Sequence, residues 1–117
     1  MKKYDIAIVD DHLLFAKSLT SLIDSFDKYQ VSFHAVNGQS LINTIQHKPM
    51  PDVILMDINM PVLNGVETMK WLYKNHPEQK VIALSMDDSE EIIIKMLCNG
   101  AKGYLLKDIH PDTLEKA

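Results

Sequence analysis

The chain has 117 residues, a formal net charge of −4 and one cysteine, Cys98. That length favours a single domain, large enough to bury roughly two-thirds of its unfolded surface. The acidic balance and the lack of a dense Lys/Arg cluster argue against direct nucleic-acid contact. A lone cysteine excludes an internal disulfide and fits a reducing compartment.

Met1-Lys-Lys-Tyr-Asp leads into a strand-like run of about five residues, too short for a signal-peptide core or a membrane span. Tyr4 to Val9 is predicted as the first strand, with Ile6, Ala7, Ile8 and Val9 continuously apolar. Asp10-Asp11 stands at its carboxyl end. Phe15, Leu19, Leu22 and Phe26 then recur at intervals of four, three and four, one face of a helix. Either acid could cap that helix, but two adjacent acids exceed what a cap needs. His12 follows them; at such a position a first-turn helix residue is the commoner reading and a metal ligand the rarer one.

Val31 to Val36 is predicted as the second strand. Val31, Phe33 and Ala35 alternate with Ser32 and His34, which suggests a partly wet face at a sheet edge. Asn37-Gly38 reads as a turn, and Leu41, Ile42 and Ile45 as a short helix to about His47. The third strand, Val53-Ile-Leu-Met-Asp57, is an apolar run bounded by Pro51-Asp52 and Asn59-Met60-Pro61. It reads as a strand buried on both faces that ends in a carboxylate.

Asn64 and Glu67 have capping-box spacing before a helix whose apolar face is Val66, Met69, Leu72 and Tyr73. Lys80 to Ser85 is the fourth strand, with Ser85 at its carboxyl end. A fourth helix opens at Asp88-Ser-Glu-Glu91 and stops at Gly100. Its run Ile92-Ile-Ile94 puts at least one apolar side chain on an outward face, a candidate partner surface. Tyr104 to Leu106 is a short fifth strand ending at Lys107. A last helix begins at His110-Pro111 and is expected to be cut short at Ala117.

Five strands alternating with five helices imply an α/β, flavodoxin-like (βα)5 fold, a doubly wound parallel sheet of order 2-1-3-4-5. In that order Asp10, Asp11, Asp57, Ser85 and Lys107 converge on one rim. Three carboxylates in a small pocket call for a hard divalent cation, and Mg²⁺ takes oxygen ligands of this kind. A lysine and a hydroxyl beside them suit a phosphoryl group. Asp57 is the candidate nucleophile toward phosphorus, giving an aspartyl phosphate. Ser85 has no paired base in view and reads as a ligand.

These residues resemble the receiver domain of bacterial two-component response regulators. The resemblance covers essentially all of residues 1–117 and rests on Asp10-Asp11, Asp57, Met60-Pro61, Gly65, Ser85 and Lys107 in order. The run from Gly100 to Asp108 is similar to the LuxR/NarL-type subgroup. The resemblance implies that Asp57 accepts a phosphoryl group from a sensor histidine kinase. It implies Mg²⁺ held directly by Asp11, through water by Asp10, and also by Asp57 and the Asn59 carbonyl. Ser85 and Lys107 would grip the phosphoryl oxygens, and Ser85 and Tyr104 would move as the switch. Asn59 and Asp87 would tune dephosphorylation.

It further implies a switching face on the fourth helix and fifth strand, a C-terminal DNA-binding output domain absent from this chain, and a possible homodimer on phosphorylation. The expected protein is cytoplasmic and contacts no membrane. It catalyses its own phosphorylation and dephosphorylation without being a turnover enzyme. Two departures stand out. Asp108 follows the lysine where many receivers have proline in a cis peptide. Met86 stands where a small residue is common, and its long side chain is expected to crowd the pocket. The competing readings are a receiver-like binding module, a flavodoxin-like cofactor binder and an aspartyl-phosphate hydrolase. The intact acid set argues against the first, Asp10-Asp11-His12 in place of a phosphate loop against the second, and Asn59 two residues after Asp57 against the third.

Overall fold

A computed structural model describes residues 4–57, 65–85, 94, 97, 98 and 100–106. In chain order the elements are β1 (Tyr4–Val9), α1 (Leu13–Asp24), β2 (Tyr29–Ala35), α2 (Gly38–Ile45), β3 (Val53–Asp57), α3 (Gly65–Asn75), β4 (Lys80–Ser85) and β5 (Gly103–Leu106). The five strands form one sheet of order β2-β1-β3-β4-β5, parallel at every pairing. This is the doubly wound order that the alternation of strands and helices implied.

Two apolar clusters account for the pattern. Along β1, Ala7 and Val9 enter one cluster with Leu41 of α2 and Met69 and Leu72 of α3. Ile6 and Ile8 enter the other, with Ala16, Leu19 and Ile23 of α1. The alternation follows from the two-residue period of a strand. Because both faces are covered, β1 and β3 show no polar stripe, as expected of central parallel strands.

The structure differs from the sequence reading at several elements. The buried face of α1 is Ala16, Leu19 and Ile23, while Phe15, Leu22 and Phe26 are only partly buried. The small Ala16 lets the helix approach the sheet, and its size hid it among bulkier neighbours. Tyr73 of α3 is 55% exposed, outside the buried face assigned to it from spacing. Asn37 is the N-cap of α2, and its side chain accepts from the Ser40 amide at 2.8 Å. Glu67 stands in the first turn of α3, but its expected cap partner Asn64, the Asp88–Glu91 helix start and the last helix lie outside the described residues.

β2 begins at Tyr29 and sits at the sheet edge. Its register with β1 shifts between Ile6 and Ala7, which pair with Val31 and Phe33. The extra residue, Ser32, is a bulge that turns the strand over. Tyr29 and Val31 pack against the α1 cluster, whereas Phe33 packs on the other cluster. The alternation is therefore shared between both faces of the sheet instead of marking one wet face.

Gly100 has φ +109 and donates its amide to the Leu97 carbonyl at 3.1 Å, consistent with a helix stop there. A Cβ at this position would lie 2.5 Å from Tyr73 Cδ1. Both the backbone and the ring therefore require glycine. Gly100→Ala should lower unfolding stability by about 1–3 kcal/mol. Adding Tyr73→Ala should restore only the steric part. Urea denaturation of the single and double variants checks this, and a neutral Gly100→Ala would refute it.

Candidate functional site

β1 and β3 lie side by side, with Ile8 opposite Leu55 and Val9 opposite Met56. Continuing that register sets Asp10 opposite Asp57. Ile6, Ile8 and Leu55 face α1, so the two-residue period carries both carboxylates to the same face. They sit at the carboxyl edge where the strand order reverses, the usual ligand crevice of an open α/β sheet. Asp10 is fully buried and Asp57 is 3% exposed.

The backbone around Asp10 is held from β2. Its amide donates to the Ala35 carbonyl at 2.9 Å. Its carbonyl accepts from His34 Nε2 at 2.8 Å, which assigns the proton to that nitrogen. The bulge in β2 precedes His34 by two residues and changes the faces that the strand presents.

The N-terminus of α1 closes the third side. The N-cap is His12, extended at φ −87 and ψ 93, with no side-chain capping bond. Neither Asp10 nor Asp11 caps the helix in the expected way. Instead Asp10 Oδ1 accepts from the His12 amide at 2.8 Å, one residue before the helix proper. This arrangement puts the positive end of the α1 dipole beside the acids.

The imidazole of His12 turns toward the carboxylates. Its Nδ1 lies 3.2 Å from Asp10 Oδ1, 3.5 Å from Asp11 Oδ1 and 3.9 Å from Asp57 Oδ2. One ligand atom from each of Asp10, Asp11, His12 and Asp57 falls within 4.8 Å of all the others. Three oxygen donors gathered in this way fit a hard divalent cation. The sequence reading found the three acids and set His12 aside. The available signal was its place directly after the acid pair, at the start of the helix.

Ser85 ends β4, one residue beyond Leu84, which pairs with Asp57. Tyr104 lies in β5, paired with Ala83. Ser85 is thus at the carboxyl end of its strand, and Tyr104 lies inside β5, two residues before the position paired with Ser85. Asn59, Met60, Pro61, Met86, Asp87, Lys107 and Asp108 lie outside the described residues. Among the described residues, no helix is long and apolar enough to cross a membrane.

Fold and site together define an α/β protein with an acidic cluster at its switch point that could hold a metal ion. Residues 6–117 match the model of the response regulator receiver domain, and the chain belongs to that family, the receiver domains of two-component response regulators. It is 39% identical over 115 residues to the transcriptional regulatory protein DegU of Brevibacillus brevis, covering 98% of this chain and 48% of that protein. It is 36% identical over 112 residues to the nitrate/nitrite response regulator protein NarL of Escherichia coli, covering 96% of this chain and 51% of that protein. The chain thus spans about half the length of the curated relatives it matches. Among solved structures, the receiver domain of NarL from Mycobacterium tuberculosis superposes with a TM-score of 0.91 at 27% identity, covering 99% of this chain and 93% of that one. The response regulator ChrA of a heme-sensing two-component system superposes at 0.81 with 34% identity, covering 100% of this chain and 55% of that one.

Like charges this close disfavour one another when no cation is present. Asp10→Asn keeps an acceptor for the His12 amide and removes one of the three charges. In EDTA it should raise the thermal midpoint by roughly 4 °C, about 1 kcal/mol. Scanning calorimetry checks the sign; an unchanged or lower midpoint would mean that the acids do not strain the metal-free fold.

Proposed function

We propose that this domain accepts a phosphoryl group on Asp57 from the phosphohistidine of a sensor histidine kinase, in a Mg²⁺-dependent step. The observation that carries the reading is the gathering of Asp10, Asp11 and Asp57 within 4.8 Å at the switch point of a receiver-family fold. A carboxylate oxygen of Asp57 forms the new P–O bond as the P–N bond of the donor breaks, and the imidazole nitrogen keeps the electron pair.

Asp11, Asp57, Asp10 through water and the Asn59 carbonyl are the residues that would hold the ion. When bound, Mg²⁺ supplies positive charge that offsets the incoming phosphoryl oxygens. Lys107 provides a second positive charge and Ser85 a hydrogen-bond donor to the same oxygens. The N-terminus of α1 adds a fixed dipole of the same sign beside Asp10. Asp57 is nearly excluded from water, which strengthens each of these terms.

The new phosphoryl charge would shift the population between two arrangements of the fourth helix and β5, through Ser85 and Tyr104. Ile94 and Leu97 are 55% and 41% exposed, and they supply apolar surface for the output side. The match to transcriptional regulators supports a C-terminal DNA-binding output domain in the full-length protein, working in the cytoplasm. The domain would pair with a second copy when phosphorylated. It would catalyse its own phosphorylation and dephosphorylation without turning over an external substrate.

Intact mass after incubation with acetyl phosphate tests the chemistry. The expected result is a gain of one phosphoryl group that requires Mg²⁺ and is lost in Asp57→Asn. No gain in a protein that binds Mg²⁺ would sink the reading and leave a receiver-fold binding module.

A further inference from the structure

We infer that His34, on the edge strand, is a positioning residue of the acidic site: its ring N–H fixes the Asp10–Asp11 peptide and so keeps the Asp11 carboxylate beside Asp10 and Asp57. This rests on the reading of those acids as ion ligands under the proposed function, and adds a residue from outside their cluster.

The turn from β1 into α1 carries Asp10 and Asp11, and three successive peptide groups in it are tied. The Asp10 amide donates to the Ala35 carbonyl at 2.9 Å, which extends the β1–β2 ladder by one rung. The His12 amide donates to Asp10 Oδ1 at 2.8 Å, a bond internal to the turn. Between them lies the peptide that joins Asp10 to Asp11. Its carbonyl accepts from His34 Nε2 at 2.8 Å. A carbonyl only accepts, so Nε2 bears the proton. β2 ends at Ala35 and Asn37 already caps α2, so the imidazole carries the tie to β2 one peptide further. The bulge at Ser32 puts the ring in reach. It sets His34 opposite Ile8 and Ala35 opposite Val9; without the extra residue Phe33 would stand opposite Ile8.

Asp11 is the acid that needs this tie. Asp10 is fully buried and Asp57 is 3% exposed, so packing holds both. The Asp11 side chain is 34% exposed and lies beyond the end of β1. Its direction is set by the peptide that precedes it. Groups that orient a metal ligand from behind commonly change metal affinity by about tenfold or more. His34 is itself exposed, which puts its effect at the low end of that range. The same exposure lets the residue be changed without opening the core.

The test is calorimetric titration with MgCl₂ of wild type, His34→Leu and His34→Gln. Leucine removes the donor, and glutamine returns an N–H at a similar reach. The dissociation constant should rise by about tenfold in His34→Leu and stay within about twofold of wild type in His34→Gln. A long-range ¹H–¹⁵N spectrum of the metal-free wild type should show the His34 ring protonated on Nε2. An unchanged affinity in His34→Leu overturns the inference even where the thermal midpoint falls, because a merely structural bond would do only that. Equal losses in both variants, or a ring protonated on Nδ1 alone, overturn it as well. If the affinities follow the expected pattern but wild type takes no phosphoryl group from acetyl phosphate, the proposed function falls and the positioning role stands. If wild type binds no Mg²⁺, both fall.

Discussion

Parallel pairing of β1 with β3 is the constraint on which the site depends. It brings Asp10 and Asp57 to the same level and the same face of the sheet. Neither carboxylate can withdraw, because each ends a strand whose preceding residues are locked in the core. Ile8, Val9, Leu55 and Met56 are all at most 4% exposed. Shifting either strand by one residue would expose one apolar row and bury the polar ends in its place. The energy of the core thus holds like charges closer than they would choose to be. A site assembled on flexible loops would relax apart.

The surroundings of the acids are arranged to tolerate that crowding. The α1 N-terminus offers a backbone amide and a dipole to Asp10. The edge strand offers an imidazole donor to the Asp10 carbonyl and takes its amide on Ala35. Both devices depend on sequence features that look unremarkable alone. The bulge at Ser32 changes which face β2 presents, and the N-cap is a histidine in place of the usual Ser, Thr, Asp or Asn. A conventional cap would fold its side chain back onto the α1 amides. Leaving that bond unmade frees the ring to face the carboxylates.

Much of this was legible before any coordinates. Continuous apolar runs identify β1, β3 and β4, because both faces of those strands are covered and no polar stripe interrupts them. Acids directly after such runs mark the rim. Other features escaped for physical reasons. The bulge in β2 leaves the alternation of its sequence intact and changes only the face, which periodicity cannot report. In α1 the innermost contact is Ala16, and a pattern weighted by bulk points to Phe15 instead. Tyr73 looks like core by spacing, yet it lies over Gly100, whose lack of a side chain makes room for the ring. His12 lies against the acids because its side chain makes no capping bond to α1, and an unmade bond leaves no trace in sequence.

The same geometry bears on how a charge placed on Asp57 would be felt elsewhere. The β1–β3 side of the pocket is pinned by packing and by the ties to β2 and α1, so it has little capacity to move. β5 is the last strand of the sheet, with β4 as its neighbour on one side alone. The helical residues just before it carry Ile94 and Leu97 with substantial exposure. β4, whose last residue is Ser85, stands between the acid-bearing strand β3 and β5. Under the proposed function, Ser85 is the link by which phosphorylation of Asp57 would reach β5.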